Sequence, residues 1–383
     1  MKTRNVTIVF MGLSIENTPK LKLVAETLEA NGFTVSIKGI VKSSENPEAQ
    51  PGLYVKGNIQ GIGKVIKVFV LQVRLLFHLL FKDRSSFFYA VNTLSGMLVM
   101  VVSGLKRKQY IYEAHEMVFG VNYPFFRGKW RKFWILVEKR IIQKSAWFFT
   151  TDPFRLKFYN RLLKLRKKNQ GYLWNAPKLT VFSEKQLLRE KYAIPSHYII
   201  SYCGGIIPGR NIEEIIEAFS RIDYSETSLL LAGSVSPGYK KKLNGLLEHF
   251  SVPKEQVIFT GFIENPVLKD YMRLSDTTFI LYQANSLNNR FSSPNKIFDA
   301  IHAETFFIAS YSPLTHFLVS RFPIGEILDE VNVERIYQQL MSGQKKALNP
   351  VQVDYSLLKV RYCWEKESQK IAEAIDSLRL QSR

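Results

Sequence analysis

Short apolar runs alternate with helical patterns between residues 198 and 309, and nothing else in the 383 residues restricts the fold so strongly. The runs 198–202, 228–232, 257–260, 278–282 and 306–309 have the length and composition of buried strands. After the first of them, Ile215, Ile216 and Phe219 recur at helical spacing. Glu213 and Glu214 fall in that helix's first turn, where the positive helix end favours acids. Segments 239–249 and 267–274, and the residues after Pro294, read as further helices. Strands of this length interrupted by helices predict a parallel, doubly wound sheet.

The first half repeats the theme. Residues 6–11, 34–39, 87–91, 109–113 and 146–150 read as strands, and 21–30, 94–103 and 130–144 as helices. The expectation is an α/β protein with two Rossmann-like doubly wound domains, 1–190 and 191–360, facing a cleft. A C-terminal helix over 361–383 would pack back toward the first domain. Ligands of such sheets sit beyond the carboxyl ends of the strands, so both domains would offer loops to the cleft. A hydrophobic share of 46% is ample for the cores this requires.

Charge separates the halves. Residues 1–190 carry 32 Lys and Arg against 12 Asp and Glu, whereas 191–383 carry 21 of each. A basic half beside a neutral one implies an electrostatic surface, with nucleic acid, anionic lipid or a polyanionic substrate as candidate partners. Ile59, Ile62, Ile66, Phe69, Val73, Phe77 and Leu80 follow helical spacing over residues 59–82, but Lys64, Lys67, Arg74 and Lys82 interrupt every stretch long enough to span a bilayer. That segment either packs in the domain or lies in a membrane interface, and both readings stay open; VNYPFFRGKWRKFW (121–134) and KLRKK (164–168) raise the interface reading above that for an ordinary amphipathic helix. The short apolar run after the amino terminus reads as a first strand rather than a signal peptide. Cys203 and Cys363 have neither CxxC spacing nor a nearby His, and the six histidines are scattered, so no zinc site is suggested.

Three places could carry chemistry. Gly204, Gly205 and Gly209 follow a strand and precede a helix, so the helix amides and Arg210 could hold a phosphate; a plain turn is the alternative. The spacing is neither G-x-G-x-x-G nor a Walker A loop. In NNRFSSPNKIFDAIHA, Pro294 can start a helix with Asn295 and Lys296 at its opening turn. Asp299 lies one turn on, able to accept hydrogen bonds from a sugar diol; a capped helix with solvated charges is the alternative. In IYEAHEM, His115 follows a strand's carboxyl end, where it either polarises a hydroxyl or bonds a loop backbone.

These segments resemble glycosyltransferase family 4. CGGIIPGRNIEEIIEAF is similar to its donor-phosphate turn and helix. LLLAGSVSPGYKKKL, followed by VIFTGFIENPVLKDYMRLSDTTFILY, is similar to the next strands of its donor domain. SPNKIFDAIHAETFFIAS resembles the helix that holds ribose and diphosphate. IYEAHEM, YLWNAP and RYCWEKESQKIAEAI resemble its first-domain strand end, its domain junction and its C-terminal helix.

The resemblance implies the GT-B fold and retaining transfer of sugar from a UDP- or GDP-sugar, without a metal or other cofactor. The first domain would take a lipid-linked or oligosaccharide acceptor of cell-surface polysaccharide synthesis. The resemblance places Gly205 under the diphosphate with Gly204 beside it in the donor site, and Arg210 neutralising the diphosphate. Lys296 and Asn295 would lie at the phosphate or sugar side, Asp299 on the ribose and His115 at the reacting sugar, with His115, Arg210 and Lys296 as the catalytic set. With the basic half, it implies a cytoplasmic protein, peripheral on the inner membrane face at an anionic surface. A nucleic-acid partner is not expected, because the basic half carries no zinc-finger spacing or RNP-like stretch and the nucleotide-type loops lie in the neutral half.

Three positions depart from the family pattern: Asp299 stands for the usual Glu, Phe291 for a second acid, and Ile206 for an Arg. Phe291 and Ile206 keep open a non-catalytic partner protein of the same fold. A sugar-nucleotide epimerase is the enzyme alternative, but it would need more acid–base residues than these loops show.

Overall fold

The computed structural model describes residues 4–11, 18–40, 64–120, 128–194, 198–222, 227–348 and 353–381. Residues 59–63 and 121–127, and the side chains of Lys64 and Lys67, lie outside that description. The chain forms two compact units, Met1–Trp174 with Trp364–Arg383, and Asn175–Cys363.

The first unit is built on six parallel strands: β1 (Arg4–Met11), β2 (Phe33–Ile40), β3 (Phe87–Val91), β4 (Tyr110–Ala114), β5 (Trp147–Thr150) and β6 (Gln170–Tyr172). Their order is β2-β1-β3-β4-β5-β6. Every residue of β3 and β4 is buried, as expected of parallel strands covered on both faces. The helices are α1 (Pro19–Ala30), α2 (Lys64–Phe77, continuing as a π-helical turn His78–Lys82), α3 (Thr93–Lys106), α4 (Lys129–Lys144) and α5 (Pro153–Leu163). Asp152 caps α5 by accepting the Arg155 amide at 2.8 Å, with Pro153 pre-set for the first turn. The C-terminal helix Trp364–Gln381 packs on α1 in this unit. Trp364 Nε1 donates to Thr27 Oγ1 at 3.0 Å, and Glu367 accepts the Trp174 amide at 2.8 Å.

The second unit contains α6 (Lys185–Lys191), β7 (Tyr198–Cys203), α7 (Ile212–Phe219), β8 (Thr227–Ala232), α8 (Pro237–His249), β9 (Val257–Gly261), α9 (Asn265–Leu274), β10 (Thr277–Ile280), α10 (Leu287–Arg290), α11 (Asn295–His302), β11 (Phe306–Ser310), α12 (Pro313–Val319), β12 (Gly325–Leu328), α13 (Val333–Leu348) and α14 (Tyr355–Arg361). Its parallel strands run β12-β11-β10-β7-β8-β9. The connection direction reverses between β7 and β10, as in dinucleotide-binding sheets, and such a reversal opens a crevice at the strands' carboxyl ends. The expected pair of Rossmann-like α/β units is therefore what the chain forms.

The units part after Trp174 rather than near residue 190. The reason is α6, whose basic side chains are satisfied inside the second unit. Arg189 pairs with Asp276 at 2.6 Å, and Lys185 Nζ donates to the Ser275 carbonyl at 2.9 Å.

Candidate functional site

In the second unit, pairing of β7 with β8 carries on past the strand ends. The Gly204 amide donates to Ala232 O at 2.7 Å and the Ile206 amide to Ser234 O at 2.9 Å. This close approach explains Gly233: with φ at 139°, a Cβ there would stand 2.1 Å from Gly204 O. Ile206, where the family 4 resemblance would put an Arg, is fully buried in the unit's core, so its side chain does not reach a ligand. Nothing lies within 4 Å of a Cβ built on Gly205, which is exposed and leaves room for a close approach.

The chain then turns through Gly209 (φ 84°) and Asn211 (φ 57°) into α7. Between them Arg210 lies over the ring of Tyr282, 4.0 Å from its centroid. Arg210 follows β7 and Tyr282 follows β10, so this stack straddles the reversal point. Of the two acids opening α7, Glu213 is neutralised by Lys242 at 2.9 Å and accepts the Tyr239 hydroxyl at 2.6 Å.

Pro294 delivers the chain into α11 without a side-chain cap, with Asn295 as first residue and Lys296 next. Lys296 Nζ sits 3.8 Å above the Tyr202 ring. A Cβ on Gly204 (φ 125°) would meet Lys296 Cε at 2.5 Å and Nζ at 2.7 Å, so the ammonium group rests directly on the glycine turn. The two loops singled out in the sequence thus converge on one cationic spot. Burial, reinforced by the charge of Arg210, brings the Lys296 pKa down to about 8. Asp299 pairs with Lys269 of α9 at 3.5 Å, and burial raises its carboxyl pKa against that pull. Tyr202, Tyr282 and Lys269 were not legible as site residues, because only the sheet order brings them beside the loops.

In the first unit His115 stands immediately beyond β4, held on three sides. Its amide, and that of Glu116, donate to Asn92 Oδ1 at 2.9 and 3.1 Å. Its carbonyl accepts from the Arg155 guanidinium. Its Nε2 lies 3.0 Å from Glu113 Oε1. Glu113 is wholly buried, with Lys20 2.6 Å from the same oxygen and the Tyr89 hydroxyl donating to Oε2 at 2.6 Å. Burial would raise the Glu113 pKa, but Lys20 and then His115 outweigh it and hold the carboxyl well below the usual carboxylate range. Asn92, which follows β3 and is the N-cap residue of α3, has φ 66° and ψ 162°, a region almost reserved for glycine.

The helical flank of this unit exposes apolar side chains among basic ones. On α4, Trp130, Phe133 and Leu136 are 46%, 46% and 61% exposed, beside exposed Arg131, Lys132 and Arg140. Neighbouring α3 and the π-helical turn expose Leu105 and Phe81. Among the described residues no helix is long and apolar enough to cross a membrane, and no group of three or more His, Cys, Asp or Glu is placed to hold a metal ion.

No family model matches the sequence. An 81-residue stretch, 20% of the chain, is 33% identical to part of the serotype-specific mannosyltransferase WbdA of Escherichia coli; the chain spans only 10% of that relative's length. The fold is similar to that of sucrose-phosphate synthase from Thermosynechococcus elongatus, with a TM-score of 0.75 and 16% identity, covering 99% of this chain and 100% of that one. It is also similar to Anabaena HepE, crystallised with UDP-glucose, with a TM-score of 0.73 and 11% identity over 97% and 99% of the two chains. At these identities the likeness is one of fold, and the fold is GT-B.

Proposed function

We propose that this chain is a retaining glycosyltransferase that moves a sugar from a UDP- or GDP-linked donor to a lipid-linked or saccharide acceptor in cell-surface polysaccharide synthesis, as the family 4 resemblance implies. The observation that carries the reading is the meeting of Lys296 and Gly204. Two strand-to-helix loops at the reversal point of the second sheet join there into one cationic spot, with Arg210 beside it. Charge develops on the departing nucleoside diphosphate during sugar transfer, and preorganised cations and helix-end amides stabilise it where it appears. Arg210, Lys296 and the first amides of α11 are that set. Asp299 is proposed for the ribose hydroxyls, its charge balanced by Lys269. His115 is proposed to serve the reacting sugar, and the reaction needs no metal.

The exposed apolar and basic side chains of α4 support attachment of the first unit to an anionic membrane surface on the cytoplasmic side. Trp and Phe anchor at the interface while cations meet lipid headgroups. A transfer assay tests the whole reading. Protein incubated with radiolabelled UDP-glucose or GDP-mannose and bacterial lipid extract should move label into extractable lipid or saccharide. Absence of transfer from a broad panel of UDP- and GDP-sugars by folded protein would overturn it.

A further inference from the structure

We infer that Lys20 and Glu113 are positioning residues that hold the His115 ring with its proton on Nε2, leaving Nδ1 to accept a hydrogen bond from a substrate hydroxyl. The inference rests on the proposed role of His115 and adds how that role is prepared.

The backbone of His115 is already pinned, its amide by Asn92 and its carbonyl by Arg155. Only the ring is left to turn, and Glu113 faces it. Glu113 Oε2 is occupied by the Tyr89 hydroxyl, and Oε1 is shared by Lys20 and His115. Both approaches to Oε1 are close ion-pair contacts rather than well-aligned hydrogen bonds. A carboxylate surrounded by donors and by an ammonium group offers only acceptor oxygens, so the ring nitrogen that faces it carries the proton. Among the described residues nothing bonds Nδ1.

Lys20 is placed at a cost. It is buried, and it lies in the first turn of α1, where the helix end disfavours a cation. Its Nζ is tied to the Leu173 carbonyl at 2.7 Å as well as to Glu113, which fixes the carboxylate from behind. A purely structural ion pair would account for Lys20 and Glu113 but would not dictate the state of His115.

Nitrogen NMR of the full chain with labelled histidines separates these possibilities, the His115 signals being identified by their loss in His115→Asn. In the parent protein the neutral ring should be protonated on Nε2, with that proton visible in water. Glu113→Gln should give mixed tautomers. Lys20→Met should speed exchange of the Nε2 proton by roughly tenfold or more, as the buried clamp loosens, and Lys20→Arg should restore slow exchange. If Glu113→Gln does not fold, the Lys20 pair decides alone. A parent ring protonated on Nδ1, or an exchange rate unaltered in Lys20→Met, overturns the inference. Full sugar transfer by His115→Asn would instead sink the role of His115 and leave the ring measurement standing.

Discussion

Arg210 and Lys296 each rest on a tyrosine ring, Tyr282 and Tyr202, which holds two half-buried like charges in place for an anion. Replacing either by Ala should cost roughly 2–4 kcal/mol of transition-state stabilisation, the scale of one lost oxyanion donor, read as a fall in kcat/KM. Lys296 also predicts a pH dependence. Its pKa of about 8 in the free site leaves it charged below that value, and a bound diphosphate raises the pKa. Nucleotide affinity should therefore be full below pH 8 and decline above it, by up to about tenfold per pH unit. Titrations at pH 7 and 9 check this; Lys296→Arg, which stays charged, should flatten the decline. Arg210 and Lys296 stood out in the sequence as candidates because glycine and proline mark their loops. Lys269, Lys20 and Asn92 were not, because each acts on a residue brought near only by the sheet.

Among the elements, the turns after β3 and β4 lock each other. The Asn92 amide donates to Glu113 O at 2.9 Å while its side chain takes the amides of His115 and Glu116. Asn92→Ala should destabilise the protein by about 1–3 kcal/mol, because two amides lose their acceptor at a left-handed position that also strains alanine. Asn92→Gly should be milder, since glycine removes the strain and loses only the cap; denaturant midpoints compare the two. The long buried strands were readable from their apolar runs. β6 and β12 were not: they have three and four residues, lie at sheet edges and are only partly buried, so little in their composition sets them apart from loops.

For the whole molecule, the charge asymmetry is visible in the sequence alone, yet it does not name the partner. The exposed Trp130, Phe133 and Leu136 among basic residues favour a membrane surface over nucleic acid. The protein should pellet with vesicles containing acidic lipid and be released as salt rises. It should lose binding when Arg131, Lys132 and Arg140 become Glu, each contact contributing about 1 kcal/mol. Equal recovery in the supernatant with neutral and acidic vesicles would remove this attachment. The junction after Trp174 escaped the sequence because α6 looks like a linker helix until Asp276 claims Arg189.

The proposed function requires that a nucleoside diphosphate bind where Lys296 meets the Gly204 turn, and calorimetry with UDP, GDP and ADP at pH 7 measures this. UDP or GDP should bind the parent protein, and binding should weaken by at least about tenfold in Arg210→Ala and Lys296→Ala, as expected for loss of a charge-assisted contact. No heat from any of the three with folded protein, or binding unchanged in both variants, would rule out a diphosphate site at Arg210 and Lys296.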